Sequence, residues 1–258
     1  MKIKLLIGIV AAALTMTVSL VSASTIVYAS GTKNPWGNTT NDNAMNSAFG
    51  AGNWTRVNGY KVSMFSGSNF VFLDGSDGNA NEFSGFLAKN GAVVTDYVSN
   101  GGHLFLNSAP NQGSSYDMGF GVTLNYPNHF SNTVTVTTEG VAAGLTTGGL
   151  TTNYKGGHFG HATVSGGNIS DLIKGPSGTV FGAKTVGAGF VAFGGQTTTN
   201  FHSPSPDSAA LLVNELRYVN AGAPKVVPEN AVPEPATLAL FGLGMAGVVA
   251  LRRRKAAK

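Results

Sequence analysis

The sequence predicts an α/β domain built on a mainly parallel sheet, carried between two targeting segments. Three observations support this reading. Asn69-Phe-Val-Phe-Leu-Asp74 and His103-Leu-Phe-Leu-Asn107 are short unbroken apolar runs, the pattern of strands buried on both faces. Between them, Phe83, Phe86 and Leu87, then Val93, Val94, Tyr97 and Val98, recur at helical spacing before Gly101-Gly102. Strand, helix, Gly-Gly, strand is a βαβ unit, and such crossovers imply parallel pairing.

The other elements follow in order. Thr25-Ile-Val-Tyr-Ala29 reads as a first strand. Asn38 to Phe49 offers cap residues and then Ala44, Met45, Ala48 and Phe49 at helical spacing. Trp54–Val57 and Tyr60–Phe65 are rich in β-formers and are joined by Asn58-Gly59, which predicts a turn or hairpin. Gly91 interrupts the long central helix. Tyr116 to Leu150 carries short alternating runs with turn residues throughout and is read as a β-rich excursion. Thr179–Lys184 and Gly189–Phe193 form a closing pair of strands around Val186-Gly187. Asp207 to Val219 is a helix with Leu211, Leu212, Leu216 and Val219 on one face, and Asp207 or Ser208 is placed to cap it.

Charge separates the ends from the middle. The whole chain has 16 Lys plus Arg and 12 Asp plus Glu, a formal +4. Between Ser24 and Asn230, nine Lys plus Arg stand against eleven Asp plus Glu, which leaves −2. The basic excess therefore belongs to the ends, and the middle has no electrostatic footprint for nucleic acid. The chain has no cysteine, which excludes a thiol nucleophile, thiolate metal ligands and disulfides. About 200 residues suffice to bury a core without such staples.

Residues 1–23 have the order of a secretory signal peptide: Lys2 and Lys4, an apolar helix-forming stretch from Leu5 to Val21, then Val21-Ser22-Ala23. Residues 24–220 form the exported domain and 221–231 a proline-containing linker. The tail, 232–258, has three parts: Val232-Pro233-Glu234-Pro235, an apolar run from Ala236 to Leu251, and the basic stop Arg252, Arg253, Arg254 and Lys255. As a helix the 16-residue run is about 24 Å long, short of the roughly 30 Å hydrocarbon core. Gly242, Gly244 and Gly247 weaken it further. Basic residues lie on the outer side of both apolar segments, so the positive-inside rule puts both ends in the cytoplasm and exports what lies between.

This tail resembles the PEP-CTERM sorting signal in all three parts and in their order. The resemblance implies export across the inner membrane and membrane attachment through a C-terminal transmembrane helix, transient or permanent. It implies signal peptidase and an exosortase as processing enzymes, with cutting near Pro-Glu-Pro. Delivery to the cell envelope, cell surface or extracellular space would follow.

Val94-Thr-Asp-Tyr-Val-Ser-Asn-Gly-Gly-His-Leu-Phe-Leu-Asn107 resembles the helix, Gly-Gly and strand of class I glutamine-amidotransferase-like domains, including the ThuA-like branch. Gly187–Gly195, Asn200-Phe201-His202 and the Leu211–Tyr218 helix resemble the closing strand and helix of that group. The likeness implies a flavodoxin-like three-layer sandwich over Thr25–Asn220. It does not carry the amidotransferase chemistry, which uses a cysteine at a strand-to-helix elbow.

Ligands of open parallel sheets bind outside the carboxyl ends of the strands. There the sequence offers Asp74, Asp77, Asn107, Ser108, Gln196 and His202 as candidate ligand-binding residues, suited by chemistry to sugar hydroxyls or a hard cation. Ser108, His202 and Asp74 provide the residue types of a hydrolase triad, but no Gly-x-Ser-x-Gly elbow is present. His158 and His161 are spaced to share a helical face and a zinc, but the glycines around them argue against a helix, which leaves a loop metal site or, in preference, solvated or hydrogen-bonded histidines. Trp36, Trp54, Phe70, Phe72, Phe83 and Phe86 are assigned to the core rather than to a sugar-stacking platform. The expectation is an exported, non-enzymatic protein with no cofactor and no metal, associated with polysaccharide. The alternative is an exported hydrolase or sugar-active enzyme on an amidotransferase-like fold.

Overall fold

The computed structural model describes residues 25–222. The predicted signal peptide, the transmembrane helix and sorting tail, and nearly all of the linker lie outside them. Among the described residues no helix is long and apolar enough to cross a membrane.

In chain order the elements are β1 (Thr25–Ser30), α1 (Thr40–Phe49), β2 (Thr55–Asn58), β3 (Ser68–Asp74), α2 (Ala80–Ser99), β4 (His103–Asn107), β5 (Tyr116–Asp117), β6 (Val122–Asn125), β7 (Ser131–Val136), α3 (Thr138–Ala142), β8 (Asn153–Gly160), β9 (Thr163–Gly166), β10 (Ser170–Gly175), β11 (Gly178–Val186), β12 (Gly189–Gly194), β13 (His202–Ser203) and α4 (Asp207–Ala221). All thirteen strands belong to one sheet. The order β2-β1-β3-β4-β12 is parallel throughout. From β12 the sheet continues antiparallel through β11, β10, β7, β8 and β13, while β9, β6 and β5 branch from β11.

The sheet is therefore mixed rather than mainly parallel. The β-rich excursion is larger than its sequence suggests and supplies the antiparallel half. Strands β8 and β10 were hidden because much of each faces solvent: in Asn-Tyr-Lys-Gly-Gly-His-Phe-Gly only Tyr154, Phe159 and Gly160 are buried.

Side-chain alternation places one core on each face of the parallel half. Phe70 and Phe72 of β3 point toward α1 and α4, joining Tyr28, Phe105, Phe181, Met45, Leu211 and Leu216. Val71 and Leu73 point the other way, joining Leu104, Leu106, Phe193 and the buried stripe Phe83, Leu87, Val94 and Val98 of α2. On the first face the rings form a row across strands: Tyr28 on Phe72 at 4.8 Å, Phe72 on Phe105 at 4.8 Å, and Phe105 edge-on to Phe181 at 5.2 Å. Each such pair adds about 0.5–1.5 kcal/mol beyond its buried area.

Three local expectations change. The predicted turn at Asn58-Gly59 does not close a hairpin, because β2 pairs in parallel with β1 and Val62–Phe65 is a 3-10 turn. Burial outweighs pairing there: Met64 and Phe65 sit in the α2 core, and the Tyr60 hydroxyl donates to the Asp74 carbonyl at 2.6 Å. Helix α2 runs through Gly91, with one irregular residue at Asn90 (φ −120°, ψ 15°). Neither Asp207 nor Ser208 caps α4. The amides of Ala209 and Ala210 bond the Pro206 carbonyl, and Asp207 instead accepts from the Thr151 amide at 3.2 Å.

Both ends of the described chain leave from one pole, at the amino ends of the parallel strands. Thr25 begins β1, and the end of α4 folds onto the start of β4, where His103 Nδ1 lies 2.6 Å from the Asn220 carbonyl. Strands β1 and β4 are two positions apart in the sheet, so the strand ends beside which the chain enters and leaves lie on neighbouring tracks about 10 Å apart. Gly189 locks this pole. A Cβ there would lie 2.0 Å from the Val98 carbonyl oxygen and 2.3 Å from that of Gly102. Gly189→Ala is expected to cost about 2–4 kcal/mol through this overpacking, read as a lower urea midpoint with unchanged slope.

Candidate functional site

The opposite pole gathers the loops that follow β1, β3, β4 and β12, together with the β8–β9 turn. Register brings their roots together: Asp74 stands opposite Asn107, and Asn107 opposite Gly194. The Asn107 side chain joins all three strand ends. Its amide nitrogen donates to Ser76 Oγ at 3.2 Å and to the Gln196 carbonyl at 3.0 Å, with Asp74 Oδ1 at 3.4 Å. Its oxygen accepts from the Gln196 amide at 3.2 Å.

Asp74 is 1% exposed. It accepts from Asn41 Nδ2 at 2.6 Å and from the Ser76 amide at 2.8 Å. Burial raises its pKa above the usual carboxylate value, and the bonds from Ser76, Asn41 and Asn107 oppose that rise. Asn41 also donates to the Tyr28 hydroxyl at 3.1 Å, and Arg56 lies over the Tyr28 ring at 4.3 Å.

The structure therefore gathers the sequence-predicted candidates, but mostly as a framework. Asp74, Asn107, Ser108, Gln196 and His202 are buried, and Asp77 is half-buried with Asn111 Nδ2 at 3.4 Å. The three triad residue types do not form a relay. Ser108 Oγ donates to the Gly75 carbonyl at 2.9 Å, while His202 Nε2 pairs with Thr197 Oγ1 at 2.8 Å. Among the described residues no group of three or more His, Asp or Glu is arranged to hold a metal ion.

Two groups here escaped the sequence reading. Glu215 lies on the apolar stripe of α4, fully buried, with one carboxylate oxygen bonded by Gln196 Nε2 and Oε1 lacking a protein partner. It lines a void of about 10 Å³ together with Asn41, Gln196 and His202, room for about one water molecule. A Glu within a stripe of leucines was the available signal. The second group is a surface row of rings. His158 packs on Phe130 at 4.4 Å and on His161 at 5.0 Å. Trp36 meets His161 at 5.2 Å and Phe201 at 5.8 Å. Of the aromatics assigned to the core, Trp36, Trp54 and Phe86 are only partly buried, whereas Phe70, Phe72 and Phe83 are fully so.

The far end of the chain decides its class. Residues 231–255 match the family model of the PEP-CTERM protein-sorting motif. The chain carries a PEP-CTERM sorting signal. Such a signal marks an exported protein destined for the cell envelope or surface and implies processing by an exosortase.

Comparison with curated proteins finds no match. Among solved structures, the described domain is similar to a β-galactosidase from Bacillus circulans sp. alkalophilus, with 12% identity over 79% of this chain and 32% of that one, at a TM-score of 0.43. It is also similar to a cytoplasmic protein of Salmonella typhimurium LT2, with 10% identity over 76% and 99% of the two chains, at 0.43. An exo-β-1,4-mannosidase from Opitutaceae bacterium strain TAV5 gives 13% identity over 78% and 35%, at 0.39. The chain spans about a third of the β-galactosidase's length. At these scores the likenesses say nothing about activity.

The two buried ionisable groups predict a stability profile. Burial pushes the Glu215 carboxyl from 4.5 up to about 8, so between those values the folded state keeps a proton that the unfolded chain has released. Stability therefore falls as pH rises through that range. Burial pushes the His202 imidazole from 6.5 down to about 3, so stability falls as pH drops from 6.5 toward 3. The two slopes oppose each other between 4.5 and 6.5. Calorimetry on the PEP-CTERM protein is expected to place its highest unfolding midpoint in that window. Glu215→Gln should flatten the alkaline side; an equally steep alkaline fall in the variant would assign it to other groups.

Proposed function

We propose that this is an exported, non-enzymatic protein whose PEP-CTERM signal delivers it to the cell envelope or extracellular matrix. Signal peptidase removes residues 1–23. The globular domain, 24–220, then hangs from the linker 221–231 and the membrane helix of 232–258 until an exosortase cuts near Pro233-Glu234-Pro235. The observation that carries this reading is the sorting-motif match over residues 231–255, which takes in the basic stop Arg252–Lys255.

The geometry of the domain supports a presenting role. Both described ends emerge at the amino pole of the parallel strands, so a chain tethered through either end can hold its loop-bearing pole away from the lipid. We assign that pole to association with polysaccharide. Asp74, Asn107, Ser108, Gln196 and His202 act as its rigid framework, and Asp77 lies at its rim. The amide, hydroxyl and ring chemistry gathered there suits sugars, whose polar edges bond amides and whose apolar faces stack on rings.

Mass spectrometry of the protein recovered from its native cells is expected to show a new amino terminus at Ser24 and loss of the residues after the Pro-Glu-Pro triplet. Replacing Pro233 and Glu234 together by Ala should retain an uncut chain in the membrane fraction. Recovery of the unaltered protein with Arg252–Lys258 still attached would overturn exosortase processing.

A further inference from the structure

The row of rings at the loop-bearing pole borders an open groove of about 840 Å³ floored by Gly156 and Gly157 of β8. His158 and Phe201 wall it, and Asn132 and Lys155 reach its edges. Phe201 is 38% exposed and Phe130, behind His158, is 44% exposed. Water meets these rings, although a buried core lies directly beneath them.

The two glycines are present for different reasons. A Cβ on Gly156 would lie 2.3 Å from the Phe201 carbonyl oxygen, so the pairing of β8 with β13 requires it. Gly157 has nothing within 4 Å of where its Cβ would stand, and its φ is not in the left-handed region. The fold does not need glycine there; a side chain would simply fill the groove. The next residue carries the conformation that favours glycine. His158 has φ 55°, and Trp36, also in the ring row, has φ 53°. Holding bulky residues in that region costs of order 1–3 kcal/mol each, and such strain concentrates at functional sites.

One further feature points to an acidic ligand. The residues lining the groove include one lysine and no carboxylate, in a region of the chain where acids outnumber bases by eleven to nine.

We propose that this groove binds an acid-bearing polysaccharide strand, a sugar face stacked on Phe201, its hydroxyls on Asn132 and its acid groups against Lys155. The inference rests on the polysaccharide association proposed above and adds the site and the class of chain. The open Gly157 lets the strand approach the backbone, and the ring row extends the platform toward Trp36.

The test uses the secreted protein and the polysaccharide that the same cells release, separated by anion exchange into acidic and neutral fractions. The chain has two tryptophans, so Trp54→Phe leaves Trp36 as the sole indole and its emission reports binding. The acidic fraction is expected to shift that emission, with an affinity that weakens as salt is raised. Phe201→Ala and Gly157→Leu should weaken binding about tenfold or more, as for anchor residues at the centre of an interface. Lys155→Gln should weaken it about threefold and reduce the salt dependence. Lys155→Gln and Gly157→Leu should keep the parent unfolding midpoint, because both positions are open to solvent, whereas Phe201→Ala should lower it modestly by removing the edge contact with Trp36. Val62→Ala, at an exposed apolar residue of the opposite pole, should leave binding unaltered.

Unchanged affinity in Phe201→Ala and Gly157→Leu would overturn the groove while leaving polysaccharide association standing. Equal affinity for the neutral fraction would overturn the acidic class. If the parent protein binds neither fraction, the association itself fails, and the groove assignment with it.

Discussion

The Asn107 side chain is the constraint on which the loop-bearing pole depends. One carboxamide spans the ends of three parallel strands, donating toward β3 and the segment after β12 while accepting from that same segment. It is 4% exposed, so each bond forms away from competing water, and a lost partner would leave a buried polar group unpaid. Neither aspartate nor leucine reproduces it: one lacks the donor, the other lacks both donor and acceptor. Around this tie the loops have little freedom to move independently.

That rigidity accounts for the division of labour at the pole. The inner layer is polar, buried and almost fully bonded, with Asp74 held by Asn41 and Ser76 and His202 stacked on Phe159 at 3.7 Å. Groups so committed position the surface rather than contact what lies outside it. The outer layer is aromatic, partly open and strained at Trp36 and His158. Chemistry available to a partner therefore resides in the rings, the glycine floor and the edge amides. The opposite pole, where β4 meets the end of α4, is where both described ends of the chain lie.

Much of the parallel half was legible from residues alone. Runs such as Phe70–Leu73 and Leu104–Leu106 are buried on both faces, and full burial writes itself as continuous apolar sequence. The stripe of α4 was equally plain. The antiparallel half was not: β8 buries only Tyr154, Phe159 and Gly160 and β10 only Leu172 and Ile173, and the glycines and Lys155 of β8 remove the alternation that would have announced a strand. The candidate site was half legible. Topology pointed to loops that the structure does bring together, but sequence could not say that most of their polar residues bond one another, or that Trp36 would meet His161 and Phe201 from distant segments.

The sequence by itself determined where this protein goes. Sorting signals are read locally, as a contiguous order of motif, apolar span and basic stop, so no fold is needed to recognise residues 231–255. It also determined the βαβ centre, because hydrophobic periodicity is a local property. Only the tertiary structure decided which polar residues are buried framework and which rings stay open to solvent. Burial and hydrogen bonding depend on residues far apart in the chain, such as Asn107 with Gln196 and Trp36 with Phe201, and those pairings exist only once the sheet has closed its register.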